Sequence, residues 1–157
     1  MNDSRWLPEL PKMSFLEACE KDTLGHAYEN HLKKNSLEID FFPKVKINRP
    51  VDYVTYRTYV VHDLWHTLLG YDTTTVGEME VQAFSMGQYQ SPIALMIITS
   101  GFINLLDNEP LKAVEAFEKI IAAYERGKSC NLLLAYKLED MLERPIEEVR
   151  KEVGLTS

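Results

Sequence analysis

Fourteen consecutive residues, Ile93 to Leu106, carry no charge and are apolar almost all round a helical wheel. A helix that crosses a bilayer needs about 20 such residues, so this run is too short to span one. In a water-soluble chain an all-round apolar helix is ordinarily the buried centre of a bundle, because no face of it suits solvent. The same run can instead line an apolar tunnel or meet a membrane. Met79, Phe84, Met86, Met96 and Phe102 would soften such a wall, since methionine adapts to irregular partners. They serve a core equally well.

Ordinary punctuation cuts the rest of the chain into helices. Ser14 to Asn35 is helical in character, with Gly25 the residue able to break it. Leu24, Ala27, Tyr28, His31 and Leu32 form its inner face. Ser36 to Arg49 is mixed, and the Phe41-Phe42 pair is expected to fold onto the body. Pro50 suits a first helical position and Gly70 the position just past an end, which predicts one helix over 50–69. Thr75 caps a helix running to about Gln90, and Ser91-Pro92 opens another that ends near Asp107. Asn108 and Pro110 open a fifth, closed by Gly127. Leu132 to Leu142 and Ile146 to Val153 read as two more, separated by Pro145 and ended by Gly154. Strand patterning is weak, with Tyr53 to Val61 the one β-rich stretch. The expectation is an all-α, single-domain helical bundle of about six to seven helices over residues 1–157. Residues 1–12 would form an irregular N-terminal arm.

Composition narrows the function classes. A chain of 157 residues, 45% apolar and 26% charged, can bury a real core. Its net charge of −7 argues against a nucleic-acid partner, because phosphate neutralisation needs clustered Lys and Arg. Cys19 and Cys130 lack metal-motif spacing, so free thiols in a reducing compartment are expected. Met1 to Pro11 resembles neither a signal peptide nor an Arg-rich transit peptide, which points to a cytoplasmic chain.

Against this background one cluster carries chemistry. His62-Asp63-Leu64-Trp65-His66 is followed, after eleven intervening residues, by Glu78. His62 and His66 stand one helical turn apart, so their rings leave from the same face. Asp63 lies about 100° round the same wheel. Gly70 and Thr73-Thr74-Thr75 supply a break, after which a second helix can bring Glu78 back. Two nitrogens with two or three carboxylate oxygens make a site for a borderline divalent metal. Glu78 has a rival explanation: Thr75-x-x-Glu78 before an apolar stretch is also a capping box. The pattern differs from the zincin motif, in which a glutamate follows the first histidine directly. It also lacks the more distant histidine and aspartate of a phosphohydrolase built on a His-Asp pair. Tyr59 and Thr55 precede His62 by one and two turns and share its face by spacing.

These residues resemble a known signature. His62-Asp63-Leu-Trp-His66-Thr-Leu-Leu-Gly70, with Glu78 at its fixed distance, resembles the motif of the coenzyme Q biosynthesis protein four family. Thr23-Leu24-Gly25-His-Ala27-Tyr28, Ala123-Tyr124-x-Arg126-Gly127 and Pro145-Ile146-x-x-Val149-Arg150 are similar to further segments of that family. The likeness covers about residues 20 to 155, and the missing mitochondrial extension suggests a bacterial member. What the resemblance implies is a helical protein of ubiquinone or polyprenyl-quinone biosynthesis, peripheral to the inner face of a membrane. Its partners would be a prenylated quinone precursor or isoprenoid lipid and other quinone-biosynthesis enzymes, and a homo-oligomer is expected. The metal ligands carried over are His62, Asp63, His66 and Glu78. The metal is usually written as zinc, while the donor set also suits iron, manganese or cobalt. The implied chemistry is oxidative decarboxylation at ring C1, a lyase-type step that replaces a carboxylate by a hydroxyl. A non-catalytic isoprenoid-binding scaffold that organises the pathway's enzymes is the alternative.

Overall fold

Helix starts follow the chemistry of the first turn, whose backbone N–H groups lack partners within the helix. The hydroxyls of Thr23, Thr74 and Ser91 accept from the N–H groups of His26, Gly77 and Ala94, each at 3.2 Å. Pro50, Pro92 and Pro110 occupy first helical positions, where a missing N–H costs nothing. In the computed structural model, which describes residues 10–39 and 47–155, these signals open an all-α architecture. Among the described residues there are eight α-helices, two short 3-10 turns and an isolated bridge between Thr23 and Pro145. Phe41-Phe42 and most of the expected N-terminal arm lie outside the described residues.

The chain parts into two compact units, Met1–Leu68 with Leu134–Glu152, and Leu69–Leu133 with Val153–Ser157. The first holds α1 (Met13–Leu16), α2 (Leu24–Asn35), α3 (Pro50–Val60), nearly all of α4 (His62–Leu69) and α8 (Ile146–Glu152). The expected helix over 14–35 is broken ahead of Thr23 rather than at Gly25. Asp22 sits in the left-handed region at φ 68°, and Thr23 then caps α2. Gly25 falls inside the first turn of α2, where a Cβ would lie 2.5 Å from Cys19 Sγ and 2.9 Å from the Leu142 carbonyl oxygen. Three backbone hydrogen bonds tie this turn to the approach to α8: Leu24 N–H to Arg144, Gly25 N–H to Leu142, and Ile146 N–H to Asp22.

The helix expected over 132–142 does not form; 3-10 turns at Leu133–Ala135 and Leu138–Asp140 stand in its place. Its backbone groups are satisfied from elsewhere. The Arg57 guanidinium donates to the Tyr136 carbonyl at 2.6 Å, and Gln88 Oε1 accepts from the Leu133 N–H at 2.7 Å. Arg57 also grips both carboxylate oxygens of Glu139, at 2.8 and 3.1 Å, with both side chains buried. A tertiary ion pair has overridden local helix propensity.

The second unit is built from α5 (Thr75–Gln88), α6 (Pro92–Asn108) and α7 (Pro110–Ser129). α5 and α7 approach through glycine. A Cβ on Gly127 would lie 2.3 Å from the Phe84 carbonyl oxygen, and one on Gly87 2.3 Å from that of Tyr124. Gly127→Ala is therefore expected to force the two helices apart and cost about 1–3 kcal/mol, as overpacking of a fitted core does. Urea denaturation would show it as a fall in midpoint. Behind this crossing pack Met79, Ala83, Ile98, Leu105, Ala113, Ala116 and Ala123.

The charge-free run is not the buried centre. α6 buries one stripe, Ala94, Ile98 and Leu105, and leaves Met96 and Ile103 each 64% exposed. α7 likewise exposes Leu111, Val114, Phe117 and Ile121. The central role falls to α5, which buries Gly77, Met79, Val81, Ala83, Phe84 and Ser85. Among the described residues no helix is long and apolar enough to cross a membrane.

Candidate metal centre

The helix expected over 50–69 is two helices. Val61, at φ −95° and ψ 4°, leaves helical geometry after a pair of β-branched residues that hold helix poorly. Hydrogen bonding nevertheless runs through it, from Val61 N–H to Arg57 and from Trp65 N–H to Val61. His62 thus opens α4, and His66 follows one turn later. The two Nε2 atoms stand 3.1 Å apart, with ring planes at 85°. Zinc–nitrogen bonds of about 2.0–2.1 Å hold two imidazoles roughly 3.3 Å apart at a tetrahedral angle and roughly 2.9 Å apart at a right angle. The observed separation falls between these values. Buried Leu64, Trp65 and Leu68 fix the opposite flank of the helix. Its last carbonyls are also held, Leu68 by Arg150 and Leu69 by Arg126, each at 2.8 Å. Cations suit this negative end of the helix dipole.

Glu78 reaches its place by a different cap from the one expected. Thr74, not Thr75, is the N-cap of α5, so the third helical position is Gly77 and the box on Thr75-x-x-Glu78 does not form. Gly77 is required there, since a Cβ would lie 2.1 Å from the Asp72 carbonyl oxygen. His62 and His66 bring their two Nε2 atoms together from a single turn of α4, and Glu78, at the start of α5, is the carboxylate of the same motif. His66 is buried, while His62 and Glu78 are partly exposed. Two imidazole nitrogens and one carboxylate oxygen are a donor set that holds zinc, iron, manganese or cobalt.

Asp63 is the other carboxylate of the motif. Rotated about 100° from His62 on the wheel, it lies near Tyr28. Burial, and after it the Asp63 charge, pushes the Tyr28 phenol above its ordinary range. Tyr59 is 42% exposed, and Thr55 is exposed as well. What spacing alone missed comes from α2: the His31 ring stacks on His66 with centroids 5.6 Å apart. The available signal was the apolar face of α2, on which Tyr28 and His31 sit one turn apart.

Glu78→Gln keeps shape and helix start but replaces an anionic donor by a neutral one. Metal affinity should fall about tenfold or more, with the thermal midpoint of the metal-free protein nearly unchanged. Isothermal titration with zinc measures the first quantity and a thermal melt the second.

Comparison with known proteins identifies the family. A family profile described as coenzyme Q (ubiquinone) biosynthesis protein Coq4 matches residues 8–157. A mitochondrial ubiquinone biosynthesis protein COQ4 homolog of Xenopus laevis is 29% identical over 91% of this chain and 50% of its own length. A homolog from Paramecium tetraurelia is 27% identical over 99% of this chain and 74% of its own length. The chain thus spans about half the length of the frog relative. The crystal structure of a Nostoc punctiforme protein, described as a candidate for ubiquinone biosynthesis, superposes with a TM-score of 0.86 at 27% identity. That match covers 99% of this chain and 73% of the Nostoc chain. With one profile running from residue 8 to the last, the chain belongs to the coenzyme Q (ubiquinone) biosynthesis protein Coq4 family.

Proposed function

We propose that this protein is a metal-dependent enzyme of polyprenyl-quinone biosynthesis that holds a prenylated aromatic acid for oxidative decarboxylation at ring C1. The observation that carries the reading is the pairing of the His62 and His66 Nε2 atoms, 3.1 Å apart, in a motif that also supplies Glu78. A divalent metal bound there would supply a Lewis acid for the substrate's carboxylate. His62 and His66 present neutral nitrogens, Glu78 contributes the compensating negative charge, and Asp63 is the proposed fourth donor. The carboxyl group would leave as carbon dioxide while one atom of dioxygen becomes the ring hydroxyl and the other is reduced to water with two electrons from an external reductant, chemistry for which iron, manganese or cobalt would serve better than redox-silent zinc.

The exposed apolar residues of α6 and α7 support contact with the isoprenoid tail and peripheral association with the inner face of a membrane. The same surface favours a second reading, a non-catalytic lipid-binding scaffold that gathers other quinone-biosynthesis enzymes or a second copy of itself. Incubating metal-loaded protein with a prenylated 4-hydroxybenzoate, dioxygen and a two-electron reductant separates the two. The enzyme reading expects a product in which hydroxyl replaces carboxylate. Binding that tightens with tail length, without any turnover, leaves the scaffold.

A further inference from the structure

We propose that His31 is a positioning residue for the metal site, setting the plane of the His66 imidazole so that its Nε2 faces the metal. The inference rests on the metal reading above. A histidine ring turns about a terminal torsion whose energy profile is broad, so its own rotamer does not fix where Nε2 points. A neighbour has to do so. His66 is almost wholly buried, and against its face lies the His31 ring, with centroids 5.6 Å apart and planes 23° apart. That is the offset, near-parallel arrangement that aromatic rings prefer. His62 meets the same ring at right angles, which leaves its Nε2 beside that of His66. A turn of His66 about its torsion would lose the stack and the convergence together.

His31 is itself held firmly. The residue is half-buried, with its Nε2 sealed from solvent. Buried Tyr28 and Leu32 flank it on α2. The start of α2 is tied down by the Thr23 cap and by the Leu24 and Gly25 hydrogen bonds. Its end closes on Ser36 in the left-handed region, with the Leu37 N–H on the Leu32 carbonyl at 3.0 Å. Asn35 Nδ2 further donates to the His31 carbonyl at 2.8 Å. On this account His31 touches neither metal nor substrate, and it acts through the face of its ring.

The test is cobalt(II) titration, followed by visible absorption, of the wild-type protein and the variants His31→Phe, His31→Ala and His31→Asn. Phenylalanine keeps a ring face and loses both nitrogens, alanine removes the ring, and asparagine keeps a polar group without a ring. His31→Phe should bind within about threefold of wild type with the same band positions. His31→Ala and His31→Asn should bind about tenfold more weakly or worse, as loss of a ligand-orienting neighbour does, with shifted bands. A merely structural role would lower the thermal midpoint of the metal-free variants without moving the bands. Should His31→Ala fail to fold, the contrast between phenylalanine and asparagine decides alone. Wild-type affinity and bands in the ringless variants would overturn the proposal, as would a loss in His31→Phe equal to theirs. A wild-type protein that takes up no cobalt at all would instead sink the metal reading beneath it.

Discussion

Arg57→Ala should destabilise the protein by about 3–5 kcal/mol, the cost of removing one partner from a buried ion pair. The Arg57 guanidinium makes two bonds to Glu139 and one to the Tyr136 carbonyl, and its side chain is only 4% exposed. Alanine would strand a buried carboxylate and a backbone carbonyl at once, in the segment where 3-10 turns replace a helix. Equilibrium denaturation with urea reads the loss. Replacing both charges, as Arg57→Met with Glu139→Leu, should recover much of it, because well-packed apolar groups remove the stranded charge. A single variant as stable as wild type would mean that this contact does not anchor residues 136–139.

The second large effect is expected at the metal. The double variant His62→Ala/His66→Ala removes both nitrogens yet leaves Leu64, Trp65 and Leu68 to bury α4, and alanine favours helix more than histidine does. Folding should survive while metal binding does not. Because metal bound only to the folded state stabilises it by mass action, wild type should gain about 4 kcal/mol at a thousandfold excess over its dissociation constant. The double variant should gain nothing. Protons compete for the same nitrogens and carboxylate, so the wild-type gain should shrink as pH falls.

The features legible in the sequence were those with local causes. Proline at first positions, serine at the α6 cap, and Gly70 and Gly154 at positive φ all act within one turn. The pairing of His62 with His66 is local in the same sense, since four residues of helix suffice to align them. Long-range causes were not legible. Arg57 reaches 82 residues along the chain to Glu139 and so decides against a helix that local propensity favours. α6 looked like a central helix because its composition says nothing of how many neighbours it has, and α5 took that place. The cap on α5 moved one residue, from Thr75 to Thr74, and that shift removed the capping explanation for Glu78. His31 could be placed on an inner face, but its stack on His66 joins helices 35 residues apart in sequence.

The central claim is that His62, His66 and Glu78 hold one divalent metal. Elemental analysis of protein purified without added metal or chelator, performed on wild type and on His62→Ala/His66→Ala, tests it most directly. The account predicts close to one metal ion per wild-type chain and none in the folded double variant. Equal metal content in the two proteins would contradict it.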